Sequence, residues 1–238
     1  MPRMSRPSRL TAVAAAGLIV GALAMVQAGQ TDTALGAAGL WRYVSLGRPN
    51  GDEVKLDGLF VFQNGRFVQQ ALNLGDPVDA QVAQAHAGTY TVSDGRIHLH
   101  ADVGLVIDPR AATPVVSSPD RAHELTPTAQ TDRLVLTFGS GTVQKFVRVG
   151  RAAGRIVPLS RGALALVDGH FILVFQDGSR ALAGSGTYTE NGPALRFAPE
   201  RWLTVRDGRV TYAKAPVDAT VNATALVVGA EPPLPLAK

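Results

Sequence analysis

From residue 39 onward, apolar positions fall in short runs or alternate with polar ones, and turn-forming residues separate the segments. Alternation with a period of two puts one face of a strand in a core and the other in solvent. On that pattern the chain predicts strands at 39–46, 59–63, 66–73, 87–92, 96–101, 122–126, 133–138 and 143–149. Asn64-Gly65, Asp94-Gly95 and the run 139–141 lie between them. Such residues adopt the left-handed backbone that tight hairpins require, so neighbouring strands are expected to be antiparallel. Asn64-Gly65, joining 59–63 directly to 66–73, is the strongest hairpin signal. No segment carries a 3.6-residue apolar period over three turns. Pro109, Pro114 and Pro119 mark 104–120 as a loop, expected to lie over an opening of the sheet. The fold class is all-β and antiparallel.

The second half repeats part of this plan. Gly58, Asn64-Gly65 and Phe67 recur as Gly162, Asp168-Gly169 and Phe171, each 104 residues later. Gly88-Thr89-Tyr90 and Asp94-Gly95 recur as Gly186-Thr187-Tyr188 and Asn191-Gly192, 98 and 97 residues later. Further strands are expected at 163–167, 170–176, 180–189, 194–197, 202–205, 209–212 and 220–228. Any hairpin-rich sequence matches itself at Gly and Tyr, so the order of the matches carries the argument for a repeat. The chain then divides into a first unit at 39–150 and a β-rich partial repeat at 155–230. The second unit is expected to be a partial barrel or strands added to the first.

Charge and composition change this picture mainly at the N-terminus. Arg3, Arg6 and Arg9 precede an uncharged run over residues 10–25, and Val26-Gln27-Ala28 supplies the small residues that signal peptidase needs. Residues 1–28 therefore predict a cleaved signal peptide and 29–38 a flexible lead-in. The expected location is periplasmic or secreted, with no membrane insertion after cleavage. The sequence pI of about 9.8 invites a nucleic-acid partner. Without the three leader arginines, however, 20 basic residues remain against 19 acidic ones, a formal +1. A nearly neutral body with no Lys/Arg run neutralises few phosphates, which excludes nucleic acid as the expected partner. The chain has no cysteine, so disulfides, thiolate catalysis and Cys-based zinc sites are excluded.

Several short motifs in order resemble the lipocalin-like (calycin) β-barrels of bacteria. They are Gly39-Leu40-Trp41, the segments 41–46, 58–67 and 87–92, His98-Leu99-His100, the segment 132–137, and Val147-Arg148-Val149. The resemblance covers about residues 36–150. It implies an antiparallel up-and-down barrel in which an arginine on the last strand packs over the tryptophan of the first. Gly39, Trp41 and Arg148 are the matching residues, and the guanidinium is expected within about 6 Å of the indole, the reach of a cation–π pair. Residues 155–230 depart from the single-barrel pattern.

Candidate chemistry is sparse. Phe60, Phe62, Phe67 and Phe138 are expected to point into the barrel, where they fill it or line a ligand cavity. Tyr90, at the position that repeats as Tyr188, is a core tyrosine or a ligand hydrogen-bonder. His98, His100 and Asp102 share a strand face and suggest a metal or acid–base site, which needs a third histidine, His86 or His123. The alternative is an exposed polar face with Leu99 and Ala101 inward. No Gly-x-Ser-x-Gly elbow, P-loop or Rossmann fingerprint is present. No cofactor and no metal are expected.

These observations suit an exported module that binds a small apolar ligand in a barrel. Two alternatives remain open: an isomerase- or cyclase-type barrel enzyme using His or Tyr, and a structural or interaction module with a filled core. For the leader, mass analysis of exported protein should find Gly29 at the N-terminus. Recovery of intact Met1 in the exported pool would contradict cleavage.

Overall fold

The computed structural model describes residues 36–74, 81–108, 110–111, 115–117 and 121–238. The leader, most of the lead-in, and Pro109, Pro114 and Pro119 lie outside the described residues. Every regular element described is a strand. The first unit comprises Gly39–Gly47 (β1), Glu53–Gln63 (β2), Arg66–Asn73 (β3), Ala83–Ser93 (β4), Arg96–Ile107 (β5), Val115–Ser117 (β6), Arg121–Ala129 (β7), Arg133–Phe138 (β8) and Val143–Gly150 (β9). β1 pairs with both β2 and β9, β4 pairs with β5, and β5 pairs with β7, so eight antiparallel strands close into a barrel. β6 adds to the far end of β5. The expected loop at 104–120 is thus corrected at its start, because 104–107 continue β5 and Leu105 pairs with Ser117.

The second unit comprises Gly154–Leu159 (β10), Gly162–Val167 (β11), His170–Asp177 (β12), Arg180–Asn191 (β13), Ala194–Arg206 (β14), Arg209–Ala213 (β15), Val217–Val221 (β16), Ala225–Val228 (β17) and Leu234–Pro235 (β18). They run β10-β11-β12-β13-β14-β16-β17-β18, with β15 beside β14. The Leu159–Leu236 bridge and the Ser160 N–H to Pro235 carbonyl bond (2.8 Å) draw its edges together. Pro158 and Pro235 stand at this seam and have no N–H to donate, so the second barrel is only nearly closed. The segments 194–197 and 202–205, expected as two strands, are one. The strand expected at 220–228 is instead two, β16 and β17.

The internal repeat is visible in the backbone. Asn64 and Asp168 both have positive φ, at 50° and 46°, and each is followed by a left-handed glycine. The carbonyls of Gly65 and Gly169 accept from the N–H of Tyr90 and Tyr188 at 2.8 and 2.9 Å. Bulges recur too. Ala87 pairs with Val103 and Gly88 with Ala101, leaving Asp102 as the extra residue. Ser185 pairs with Arg201 and Gly186 with Pro199, leaving Glu200 extra, 98 residues on. An extra residue reverses which face the following side chains take. Ile97, Leu99 and Ala101 therefore point into the first barrel, whereas Val103, Leu105 and Ile107 point out of it.

Those outward residues meet the second barrel. One buried cluster joins Leu59, Val61, Val68, Leu72 and Leu105 to Ala163, Ala165, Ile172, Val174 and Leu203, with β3 against β12 and β4 against β11. The alanines of β4 (Ala83, Ala85, Ala87) and of β11 and β13 let the two walls approach closely. Each barrel has its own interior cluster besides. Trp41, Phe62 and Ile97 belong to the first, and Leu164, Phe171 and Phe197 to the second.

Polar contacts stitch the junction. Arg42 donates to Glu200 through two nitrogens (3.0 and 3.2 Å) and to Asp57 at 3.0 Å, and Tyr212 donates to the Gln81 carbonyl. The linker is pinned by Asp168, which accepts from the N–H groups of Ala152 and Ala153, and by Gln63, which donates to the carbonyls of Ala152 and Gly154.

Gln70 is the exception in the shared face. It is fully buried and both amide atoms lack partners, whereas the matching position 104 residues on is Val174. An unpaired buried amide costs about 1–3 kcal/mol. Gln70→Leu is therefore expected to raise the urea midpoint with an unchanged slope; a lowered midpoint would show that the amide is satisfied in solution.

Candidate functional site

One end of the first barrel is sealed. The indole of Trp41 is fully buried and its Nε1 donates to the Ala37 carbonyl at 2.8 Å. The guanidinium of Arg148 lies 4.0 Å from the Trp41 ring centroid, and Trp41 and Arg148 are cross-strand partners. Arg148 also donates to the carbonyls of Thr131, Ala38 and Gly36, tying the segment before β1 to the β7–β8 turn beside the ring. Gly39 has φ 149°, and a Cβ there would lie 2.6 Å from an Arg148 nitrogen, so the stack requires glycine. Phe62 and Tyr90 fill this same end, edge to face at 5.2 Å.

Towards the opposite end the barrel holds a cavity of about 450 Å³. Phe60, Phe67, Leu99 and Ala101 supply its apolar wall, and Leu46, Phe138 and Ser140 lie at its rim. Of the aromatics singled out in the sequence, Phe60, Phe67 and Phe138 line the cavity. Phe62 and Tyr90 do not, being packed at the sealed end. His98 and His100 are on the outside: His98 contacts Ser93 at 2.9 Å and lies 3.8 Å from Glu124, and His100 lies 3.7 Å from Asp102. Leu99 and Ala101 point inward, so this histidine pair is a solvated face. Among the described residues no group of three His, Cys, Asp or Glu side chains could hold a metal ion.

The histidines in the cavity wall are the two others. Tyr43 donates to Gln69 Oε1 at 2.9 Å, and Gln69 Nε2 donates to His86 Nδ1. This order makes Nδ1 an acceptor, which leaves the proton of the neutral ring on Nε2. Nε2 is buried and has no partner. Burial pushes the Tyr43 phenol up and pulls His86 down to about 4, the latter helped by His123 and Arg121 nearby. His123 is half-buried against the edge of Phe138 at 5.5 Å and is also held below its usual range, by burial and then by Arg121. The site thus combines an apolar wall, a polar chain ending on an unpaired N–H donor, and a positive rim.

The second barrel lacks this chain in the same backbone setting. The position of Gln69 is Leu173 and that of His86 is Gly184. His86 faces Gly104 across the strands, while Gly184 faces Trp202, so the ring has changed strand. A Cβ at Gly184 would press on the Trp202 indole, which packs with Phe171 and Phe197 inside the second barrel. Sequence reasoning named Phe60, Phe67 and Phe138 together with Phe62 and Tyr90, which lie outside the cavity, and it missed Tyr43, Gln69 and Gln144, because a lone polar residue in a strand gives no motif. No family model, curated protein or solved structure matches the chain.

His86 makes stability depend on pH. Its folded pKa lies below the ordinary value of 6.5, so between pH 6.5 and about 4 the unfolded chain binds a proton that the folded one refuses. Stability is full above that window and falls as pH drops through it, by on the order of 3 kcal/mol at ~1.4 kcal/mol per unit. Urea unfolding at pH 7 and pH 4.5 should show this loss in the native protein and a much smaller one in His86→Gln. Equal losses in both would place the titration elsewhere.

Proposed function

We propose that this chain is an exported, lipocalin-like binding protein that holds a small apolar molecule in its first barrel. The observation that carries the reading is the cavity between Phe60, Phe67 and Leu99, with the Tyr43–Gln69–His86 chain in its wall. Apolar sites with a few placed polar groups are how small molecules are bound and oriented. The His86 Nε2–H ends the Tyr43–Gln69–His86 chain at the cavity wall without a protein partner, and a ligand acceptor would recover the free energy that leaving it unpaired costs. The second barrel carries Leu173, Gly184 and Trp202 at or opposite the matching positions and supports the first through the shared face. The signal-peptide pattern of residues 1–28 favours action outside the cytoplasm. The closure of Trp41 under Arg148 supports the lipocalin-like reading of the fold.

Native mass spectrometry of protein recovered from the exported fraction tests the proposal. A retained non-covalent mass of small-molecule size is expected, and Leu99→Trp, which fills the cavity, should abolish it. An adduct unchanged by Leu99→Trp in a folded variant would refute the site. Bare protein that also fails to bind an apolar fluorescent probe saturably would refute the function.

A further inference from the structure

The polar groups of the cavity specify more than an apolar ligand. Around the rim and upper wall, β4 contributes His86, and β7 contributes Arg121, His123 and Glu124. Glu124 is the acid of this set, and it is engaged outside by Arg96, with His98 at 3.8 Å. Arg121 forms no ion pair among the described residues, and its charge is felt by both imidazoles. The neutral His86 ring offers Nε2–H, a donor without a partner. The lining therefore presents an unpaired imidazole N–H and one guanidinium without an ion pair among the described residues, while its one carboxylate is held by another residue.

An acceptor-only anion complements such a set. A carboxylate has two oxygens and no proton to give; it can accept from an imidazole N–H and a guanidinium together. A neutral alcohol or ketone would satisfy the His86 donor but leave Arg121 unpaired. We propose that the cavity takes an apolar molecule bearing one carboxylate, whose head lies between His86, His123 and Arg121 while its tail lies against Phe60, Phe67 and Leu99. The proposal rests on the reading of the first barrel as a ligand cavity. It adds the chemical class of the ligand and the residues that choose it.

The geometry also implies a proton coupled to binding. His86 and His123 are held neutral by burial, with Arg121 adding to the effect and His123 acting on His86. A carboxylate placed among these groups offsets the positive charge and favours protonation of an imidazole. The other titratable groups of the wall are Tyr43, kept as a neutral phenol by burial, and Glu124, which Arg96 engages. Below neutral pH, binding should take up protons.

The test compares two probes of equal tail length, decanoate and decanol, by titration calorimetry on the full mature chain at pH 7 and pH 5.5. Decanoate is expected to bind at least 10-fold more tightly than decanol. Arg121→Gln should remove most of that preference and leave decanol within about twofold, as expected when one charge–charge contact is lost. In buffers of different ionisation enthalpy, decanoate at pH 5.5 should show net proton uptake that His86→Gln reduces. Equal binding of the two probes would overturn the carboxylate inference while leaving the cavity reading intact. So would an Arg121→Gln variant that weakens both probes alike. Binding of neither probe would overturn the cavity reading itself.

Discussion

The structure depends on one apolar face shared by two barrels. An ordinary barrel strand buries one side and wets the other, but β2, β3, β11 and β12 bury both. In β3, Phe67 and Gln69 face the interior of the first barrel while Val68, Gln70 and Leu72 face the second. The wall that carries Gln69 and His86 is thus backed by a second hydrophobic layer. Side chains held from behind in this way keep their rotamers, which lets a single amide orient both a phenol and an imidazole.

Most of the fold was legible because hairpin turns and alternation are local signals. Asn64-Gly65 and Asp168-Gly169 mark turns whose left-handed backbone they adopt. The misreadings have physical causes. The first part of β4, Ala83 to His86, was passed over because alanine is a poor strand former, yet the small side chains of Ala83 and Ala85 are what the shared face requires. β10 was hidden by Pro158, which is tolerated there because the strand lies at the imperfectly closed edge. β14 was split at Pro199, where the bulge at Glu200 absorbs the irregularity.

The site was less legible than the fold. Phe60, Phe67 and Phe138 could be picked out as inward aromatics, since strand alternation decides the side. Phe62 and Tyr90 face inward too, but depth along the barrel axis separates them from the cavity, and alternation says nothing about depth. Adjacency in sequence drew attention to His98 and His100, which lie on the outer side of β5. The histidines that line the cavity come from β4 and β7, with β5 between them, and only the closed pairing brings them to one wall. Comparison of the two barrels is the more telling signal. The same backbone positions hold Gln69 and His86 in one and Leu173 and Gly184 in the other, so the barrel geometry does not itself demand polar groups there.

A strand that is apolar on both faces gives up a safeguard. When one face is wet, sliding by one residue drives every core side chain into water, and hydrophobicity alone forbids the slip. For Phe171-Ile172-Leu173-Val174-Phe175 the slipped strand would still bury its whole length. Here the two-residue turns Asn64-Gly65 and Asp168-Gly169 set the alignment, and glycine reinforces it further along each hairpin. Gly58 sits where a Cβ would overlap the Gln70 carbonyl, and Gly162 stands in the same relation to Val174, so only one alignment of each hairpin sets the gap against the oxygen. The alignment of the doubly buried strands is thus marked partly by absent atoms, since a methyl group at either glycine would collide with the opposing backbone.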